Sequence, residues 1–524
     1  MRSQTGWRNS VVGLRRFIKL LRPIGLLFWE PRRRLIRTGL KTGGGAIVSV
    51  TFFPKTQRPI TLGVIIGNRD FFPDVLVGEA RNDLQKLFSE LGIRSVMLTP
   101  EQTKLGGVET FSDARKCAEL FIENRSLIDG VLVCLPNFGD EKGVTDTLKL
   151  SRLDVPVLVQ GYPDDLSLLG VERRRDAFCG KISVCNNLKQ ARIPFTLTSR
   201  HVVHPSDPTF RADLSRFVAV CRTVRGLRGA RFGAVGARPG AFNTVRYSEK
   251  ILESYGISVT TIDLSEVLGQ AARLKESDPR LTAKLSEING YAPAESVPKD
   301  KLVQMARLGV VLDQFVEDNA LDATAIQCWT SLQANWGCNV CTCMSMMSEK
   351  LLPSACEVDI TGALSMYALS LASQQPSALV DWNNNYGSDE DKCVLFHCGN
   401  WPKAFAPDTR IANAPILGST LGVENTWGAM EGRTPAGPLT YARFTTDDTH
   451  GVIRGYVGEG KTTNDELKTF GHRAVAYVPR LQSLLHFICE NGFEHHVAVN
   501  PSACSKIIAE ACGKYLGWQM YSHE

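Results

Sequence analysis

Three segments late in the chain carry residues that could bind a metal ion. Glu357 lies in Ser-Ala-Cys-Glu-Val-Asp-Ile, Asp381 follows the apolar run Ala-Leu-Val, and His495 and His496 stand side by side in Phe-Glu-His-His-Val. Two carboxylates and one imidazole would give a hard divalent cation a site that leaves room for substrate oxygens. This set indicates an enzyme that acts on a polyhydroxylated substrate.

Each acid also has a purely structural interpretation. Glu357 precedes a strongly apolar segment, 360–374, that is predicted to be helical, and the helix dipole favours an acid at a helix N-terminus. Asp381 ends a predicted strand, where it could form an N-cap or a turn. Both acids lie at element boundaries, where α/β proteins place their sites. On spacing alone, a shared metal site and a structural role remain equally open.

Two further patterns depart from the motifs that they resemble. The loop 233–240 follows a predicted strand but is not G-x-G-x-x-G, so a tight turn is favoured over the dinucleotide site of an NAD-linked dehydrogenase. Cys338, Cys341 and Cys343 lack a fourth soft ligand at suitable spacing, so we interpret them as buried thiols beside the site.

His397 ends a predicted strand, and is either a core histidine or a site residue.

The bulk composition is typical of a globular enzyme, with 43% hydrophobic and 22% charged residues in a chain of 524. Such a length predicts two to four domains. Residues 1–58 hold thirteen Lys or Arg and one acidic residue, so a total net charge of +6 leaves −6 on the remainder. A mildly acidic body argues against nucleic-acid binding. Fifteen scattered cysteines, an odd number, indicate free thiols and a reducing, cytoplasmic compartment.

The basic N-terminal extension, 1–58, is predicted to be separate from the folded body. It is Arg-rich and acid-poor like an organellar transit peptide. The alternative is an over-extended gene start, with the real protein beginning near Pro59. No stretch in it approaches the roughly 20 apolar residues that span a bilayer. We therefore expect a cytoplasmic protein without a membrane span, or an imported one if the extension is a transit peptide.

Apolar runs alternate with helical patterns twice along the chain. Such βαβα alternation implies a parallel sheet covered on both faces, so we predict an α/β fold with doubly wound, Rossmann-like domains at 59–176 and 177–375. The second of these domains carries Glu357. From residue 376 the runs become short, Gly-punctuated and free of intervening helices, which predicts a β-rich C-terminal domain over 376–524.

From about residue 60 onward the sequence resembles the superfamily of L-fucose and L-arabinose isomerases, most clearly over 320–400 and 490–500. Members carry a glutamate, an acidic residue about two dozen positions later and a histidine near the C-terminus, which together bind Mn²⁺. The resemblance implies that Glu357, Asp381 and one histidine of the 495–496 pair are these ligands. The pair resembles a His-His motif of arabinose isomerases, which favours His496 over His495 as the ligand. His397 resembles an additional histidine ligand of that branch.

The resemblance also implies substrate contacts and an assembly. Gln327, Trp382 and Asn383 are similar to substrate-contacting positions, and Arg69 is similar to one that can reach the site of a neighbouring subunit. A homotrimer or homohexamer of three-domain subunits is implied, with sites at subunit interfaces, a monosaccharide substrate and no nucleic-acid partner.

The implied reaction is an aldose–ketose isomerisation through a cis-enediol. Glu357 and Asp381 are expected to bind the metal and to shuttle protons on opposite sides of the C1–C2 bond. The substrate remains open between L-fucose or D-arabinose and an acidic hexose such as sulfoquinovose. Arg69, Arg238 or Arg443 could bind its anionic tail, but an ordinary salt-bridging or surface role is favoured for each. A non-catalytic sugar-binding protein with two α/β domains around a cleft is the alternative.

Overall fold

The computed structural model of the chain describes residues 55–524. Most of the basic extension, and with it the expectation of a transit peptide or an over-extended start, lies outside the described residues. Within 55–524, no helix has both the length and the apolar character needed to cross a membrane.

The first domain is a parallel sheet of five strands with its helices. Its elements are β1 (Thr61–Ile66), α1 (Val75–Leu91), β2 (Arg94–Val96), α2 (Phe111–Glu123), β3 (Gly130–Leu135), α3 (Glu141–Ser151), β4 (Val157–Gly161), α4 (Ala177–Gln190) and β5 (Thr196–Leu197). The strand order is β2-β1-β3-β4-β5. Strands β1 and β3 are buried along their whole length, as expected where helices cover both faces of a parallel sheet. Strand β5 extends this sheet beyond residue 176, where the sequence predicts the domain boundary.

A second parallel sheet follows a long helix. The elements are α5 (Pro208–Leu227), β6 (Arg231–Val235), α6 (Glu249–Ser254), β7 (Ser258–Ile262), α7 (Leu264–Arg273), α8 (Pro279–Tyr291), α9 (Lys299–Asn319), β8 (Ala323–Ile326), α10 (Ser331–Trp336), α11 (Cys341–Glu349), β9 (Ser354–Ala355) and α12 (Ile360–Ser373). The strand order is β7-β6-β8-β9. Gln327 and Glu357 follow β8 and β9, at the carboxyl edge where open α/β sheets bind their ligands.

The third domain is dominated by one mixed sheet. Its elements are β10 (Ala378–Tyr386), β11 (Asp389–His397), β12 (Arg410–Asn413), α13 (Pro415–Leu421), β13 (Trp427–Arg433), β14 (Gly437–Asp447), β15 (Val452–Thr463), β16 (His472–Tyr477), α14 (Leu481–Glu490), β17 (His496–Asn500), α15 (Ser505–Ile508), a π-helix (Ala509–Tyr515) and β18 (Gln519–His523). The strand order is β12-β13-β16-β11-β10-β17-β14-β15-β18, and a further pairing of β15 with β16 closes six strands into a ring. The prediction of two α/β domains followed by a β-rich domain is confirmed.

Helix α12 joins the second and third domains. It is buried from Ile360 to Ala372 because it lies between the second sheet and strands β14 and β17 of the third domain. A helix that is apolar all round belongs in such a core. Its N-cap is Asp359, whose carboxylate accepts a hydrogen bond from Gly362 N at 2.8 Å. The helix therefore anchors the turn that carries Glu357.

Candidate metal centre

Four segments of the chain converge at the boundary between the second and third domains. Asp381 on β10 lies directly opposite His496 on β17 in antiparallel register. His397 ends the neighbouring strand β11. Glu357 enters from the second domain, in the turn between β9 and α12. The paired strands therefore supply an acid and two imidazoles, and the turn supplies the second acid.

Glu357 lies in a tightly folded turn. Glu357 and Val358 have φ angles of 54° and 57°, in the left-handed region that residues with a Cβ seldom adopt. Such a conformation costs about 1–2 kcal/mol per residue, so surrounding contacts must hold the turn. Cys328 Sγ and Trp329 Nε1 both donate to Glu357 Oε1, at 3.2 and 2.7 Å. These bonds leave the other carboxylate oxygen, Oε2, to face the histidines.

The remaining carboxylate oxygens face imidazole nitrogens at short range. Glu357 Oε2 lies 3.7 Å from His397 Nε2 and 3.7 Å from His496 Nε2. Asp381 Oδ1 lies 3.4 Å from His496 Nε2 and 3.7 Å from His495 Nε2. An ion with ligands about 2.1 Å away in octahedral geometry separates its ligand atoms by about 3.0 to 4.2 Å. These side chains form two groups that could hold a metal ion and that share His496.

The hydrogen bonds of the two acids also indicate that a cation fits between them. Glu357 Oε2 and Asp381 Oδ1 are buried atoms that have no hydrogen-bond partner among the described residues. A buried charged oxygen without a partner is costly, and a bound cation would remove that cost. The two histidines of the pair differ, because the side chain of His496 is 1% exposed and lies near both acids, whereas that of His495 is 42% exposed and lies near Asp381 alone.

A buried network orients His496. Its Nδ1 donates to Asp359 Oδ2 at 2.9 Å, so the lone pair of Nε2 points to the two acids. Arg443 binds Asp359 through both terminal nitrogens, at 2.6 and 3.0 Å, and also binds Glu494. A carboxylate behind a metal-binding histidine fixes its tautomer and its ring orientation. Sequence reasoning missed this network, because an aspartate just before an apolar helix is the ordinary pattern of an N-cap and carries no sign of a metal-binding partner.

The site keeps its acids ionised. Burial acts to raise the pKa of Glu357, but the nearby imidazoles of His397 and His496 and the Trp329 donor together lower it to about 2. Burial opposes the Asp359 carboxylate in the same way, yet Arg443 and His496 hold its pKa well below the usual range. Both groups are therefore carboxylates at neutral pH, which is the form that binds a cation or orients a ligand.

The loop after β6 covers one side of the centre. The Phe242 ring lies 5.4 and 5.7 Å from the rings of His495 and His496, and 5.6 Å from that of Trp329. The predicted substrate contact Gln327 holds this loop, because its Oε1 accepts from Ala237 N at 2.9 Å. The segment 233–240 thus leads into a wall of the candidate metal centre, which its sequence did not signal.

The other predicted substrate contacts lie in different surroundings. Trp382 lies next to Asp381 on β10 and therefore points to the opposite face, where its Nε1 donates to Tyr456 OH at 3.0 Å. Asn383 is exposed at an irregularity in the pairing of β10 with β11. Arg69 lies in the first domain, where it pairs with Glu141 and stacks on a phenylalanine ring.

Two parts of the chain match models of known protein families. Residues 63–228 match the model of the N-terminal domain of fucose/sulfoquinovose isomerases, and residues 395–523 match that of the C-terminal domain of L-fucose isomerase. The chain belongs to the fucose isomerase family. This member is therefore an aldose–ketose isomerase. The finding confirms the family resemblance and the predicted enzyme class, and it disfavours the alternative of a non-catalytic sugar-binding protein.

Curated relatives of this fucose isomerase family member carry the name sulfoquinovose isomerase. The protein of Priestia aryabhattai is 25% identical over 452 residues, which cover 84% of this chain and 94% of the relative. That of Alkalicoccus urumqiensis is 22% identical over 368 residues, which cover 69% and 79%. That of Clostridium sp. (strain MSTE9) is 25% identical over 196 residues, which cover 37% and 43%.

Proposed function

We propose that the chain is a Mn²⁺-dependent isomerase of sulfoquinovose, with Glu357, Asp381 and His496 as metal ligands. One observation carries the metal assignment: two buried carboxylate oxygens, on Glu357 and Asp381, have no hydrogen-bond partner among the described residues and face one imidazole nitrogen. Carboxylates suit Mn²⁺, and the imidazole adds a preference for a transition metal over Mg²⁺. His397 and His495 are proposed as accessory ligands, each close to one of the acids.

The two acids are proposed to move the protons of the reaction. When bound, a divalent cation would act as a Lewis acid on substrate oxygens O1 and O2. Glu357, ionised because its pKa is about 2, would take the C2 proton and return it to C1 through a cis-enediol. Asp381, on the other side of the C1–C2 bond, would pass the hydroxyl proton between O2 and O1. Phe242 and Trp329 would exclude water from the face that they cover.

The acidic substrate is proposed from the names of the relatives together with one arginine. Arg443 is fully buried and bound to two carboxylates, so its charge is already neutralised. Arg69 is paired in the first domain and stays a proposed contact to a neighbouring subunit of a trimer or hexamer. Arg238 is half-buried in the loop that carries Phe242, and it donates to the adjacent carbonyl of Pro239. We therefore assign the sulfonate to Arg238.

The substitution Glu357→Gln tests the metal and catalytic assignments. The amide retains an oxygen for the Trp329 donor but loses the charge, so we expect turnover with Mn²⁺ to fall at least ~10²-fold, the usual contribution of an acid–base group. Calorimetry should show weaker Mn²⁺ binding as well. Glu317→Gln, at an exposed position of α9, is the matched control. A Glu357→Gln enzyme with a near wild-type rate would refute the assignment.

The substitution Arg238→Met tests the substrate. Losing a charged hydrogen bond of about 1.5–3 kcal/mol should lower kcat/KM for sulfoquinovose by about 10- to 100-fold. The rates on L-fucose and D-arabinose, measured with Mn²⁺ and with EDTA controls, should not fall. Arg246→Met, an exposed arginine close by in the same loop, is the control. An equal loss on the acidic and the neutral sugars would contradict the role of Arg238.

A further inference from the structure

Two thiols lie close to Glu357, and one of them, Cys328, contacts Oε1, the carboxylate oxygen that does not face the histidines. Cys328 follows β8, and Cys356 follows the neighbouring parallel strand β9. Both are buried and free. The sulfurs and a carboxylate oxygen of Glu357 all lie within 4.8 Å of one another. The proposed Mn²⁺ ligands do not include either thiol.

The spacing of this group suits a soft or borderline cation. A tetrahedral zinc ion with Zn–S distances of about 2.3 Å and a Zn–O distance of about 2.1 Å separates two sulfurs by about 3.8 Å and sulfur from oxygen by about 3.6 Å. The observed separation of Cys328 Sγ from Glu357 Oε1 is 3.2 Å. Small side-chain rotations would bring the group to these values. Thiolate ligands select soft cations, whereas carboxylate and imidazole on the other side of Glu357 suit a harder one.

We propose that Cys328, Cys356 and Glu357 form a second metal site, which binds thiophilic divalent cations such as Zn²⁺ and Cd²⁺. Binding releases the proton of each thiol to solvent. The site uses Glu357 Oε1 and the proposed Mn²⁺ site uses Oε2, so the two cations share the charge of one carboxylate, repel each other and weaken each other's binding. A soft cation therefore inhibits the isomerase, a consequence that rests on the proposed function, although the binding itself does not.

X-ray absorption at the zinc K edge tests the site in the unmodified chain. The full chain, stripped with EDTA and kept reduced, is loaded with one equivalent of Zn²⁺. We expect two Zn–S scatterers at about 2.3 Å. A shell of nitrogen and oxygen alone would overturn the proposal, because it would put the ion among the histidines and acids. No variant has to fold for this measurement.

Ultraviolet charge-transfer absorption of bound Cd²⁺ identifies the thiols. The band should be lost in Cys328→Ser and in Cys356→Ser, and it should persist in Cys393→Ser, which removes a buried thiol from β11 in the core of the third domain. Cys341 and Cys398 are a second pair of free thiols for comparison. A band that survives loss of Cys328 and Cys356 but disappears in Cys341→Ser or Cys398→Ser would overturn the assignment.

Inhibition provides the link to activity. In the Mn²⁺-loaded enzyme, Cd²⁺ should lower the isomerase rate. Treatment with a chelator followed by fresh Mn²⁺ should restore that rate. The substitution Cys356→Ser should raise the half-inhibitory Cd²⁺ concentration at least ~10-fold. Equal inhibition of wild type and Cys356→Ser would contradict this mutual weakening. If the chain had no isomerase rate, the proposed function would fail, while the zinc-edge and Cd²⁺ measurements would still decide the site.

Discussion

Asp359 is expected to control metal affinity without touching the metal. Its carboxylate accepts the Nδ1 proton of His496 at 2.9 Å and thereby holds Nε2 toward Glu357 and Asp381. The substitution Asp359→Asn keeps the size of the side chain but removes its charge. The amide can also turn its NH₂ group toward the imidazole, which would favour the wrong tautomer.

The magnitude follows from two separate effects. Loss of the partner behind a metal-binding histidine costs 10- to 100-fold in affinity or activity, or about 1.4–2.8 kcal/mol. Removing one partner of a buried ion pair costs up to about 3–5 kcal/mol of folding free energy. The stability loss should stay below that range, because Arg443 keeps Glu494 as a charged partner and the amide oxygen of Asn still accepts a hydrogen bond. We therefore expect a moderately destabilised protein with clearly weaker Mn²⁺ binding.

The assay pairs Mn²⁺ calorimetry with urea unfolding in EDTA. Thr361→Val is the matched control. The Thr361 hydroxyl accepts from Arg443 at 2.9 Å and donates to Asp359 Oδ1 at 3.2 Å, whereas His496 is bound by the other oxygen, Oδ2. The control should lose stability and keep its Mn²⁺ affinity. The reasoning is refuted if Asp359→Asn binds Mn²⁺ as wild type does, or if Thr361→Val loses as much affinity as Asp359→Asn.

Three further substitutions test the surroundings of the site. Trp329→Phe removes an indole donor from Glu357, so the pKa of Glu357 should rise. The acid limb of the pH–rate profile should then move to higher pH. An unmoved limb would show that the donor is unimportant. Phe242→Ala removes a ring packed on His496, and deuterium from solvent should then appear in the product to a greater extent, whereas unchanged incorporation would argue against a water-excluding role. Burial lowers the pKa of His472 from 6.5 to about 3. Between those values the unfolded chain binds one more proton than the folded one, so the free energy of unfolding falls as the pH is lowered, by up to about 1.4 kcal/mol per pH unit. His472→Gln should flatten this slope in urea titrations of the EDTA-treated protein, and parallel slopes would disprove it.

Periodicity and residue type sufficed for the fold class. The buried runs of β1 and β3, separated by amphipathic helices, predict a parallel sheet, since a strand covered on both faces must be apolar throughout. The loss of helical spacing after residue 376 predicts the β-rich domain for the same local reason. The boundary at 176 was harder to predict, because β5 has two residues and carries almost no pattern.

The candidate site was accessible from sequence only through residue chemistry and family resemblance. Glu357, Asp381, His397 and the histidine pair stand out because acids and imidazoles beside apolar runs are unusual, and their role as ligands stays a prediction. Arg443 shows the limit of this reasoning, since its sequence allowed an anion-binding, a salt-bridging or a surface arginine, and only the fold shows that it is buried in salt bridges with two carboxylates.

The sequence by itself determined which segments become strands and helices, and which side chains have metal-binding chemistry, because both depend on neighbours within a few positions. Only the tertiary structure decided which of those side chains meet. The register that sets Asp381 opposite His496 joins residues more than a hundred positions apart, and the docking of α12 between two sheets puts Asp359 behind His496. Such contacts depend on long-range pairing and packing, of which a single sequence carries no local signal.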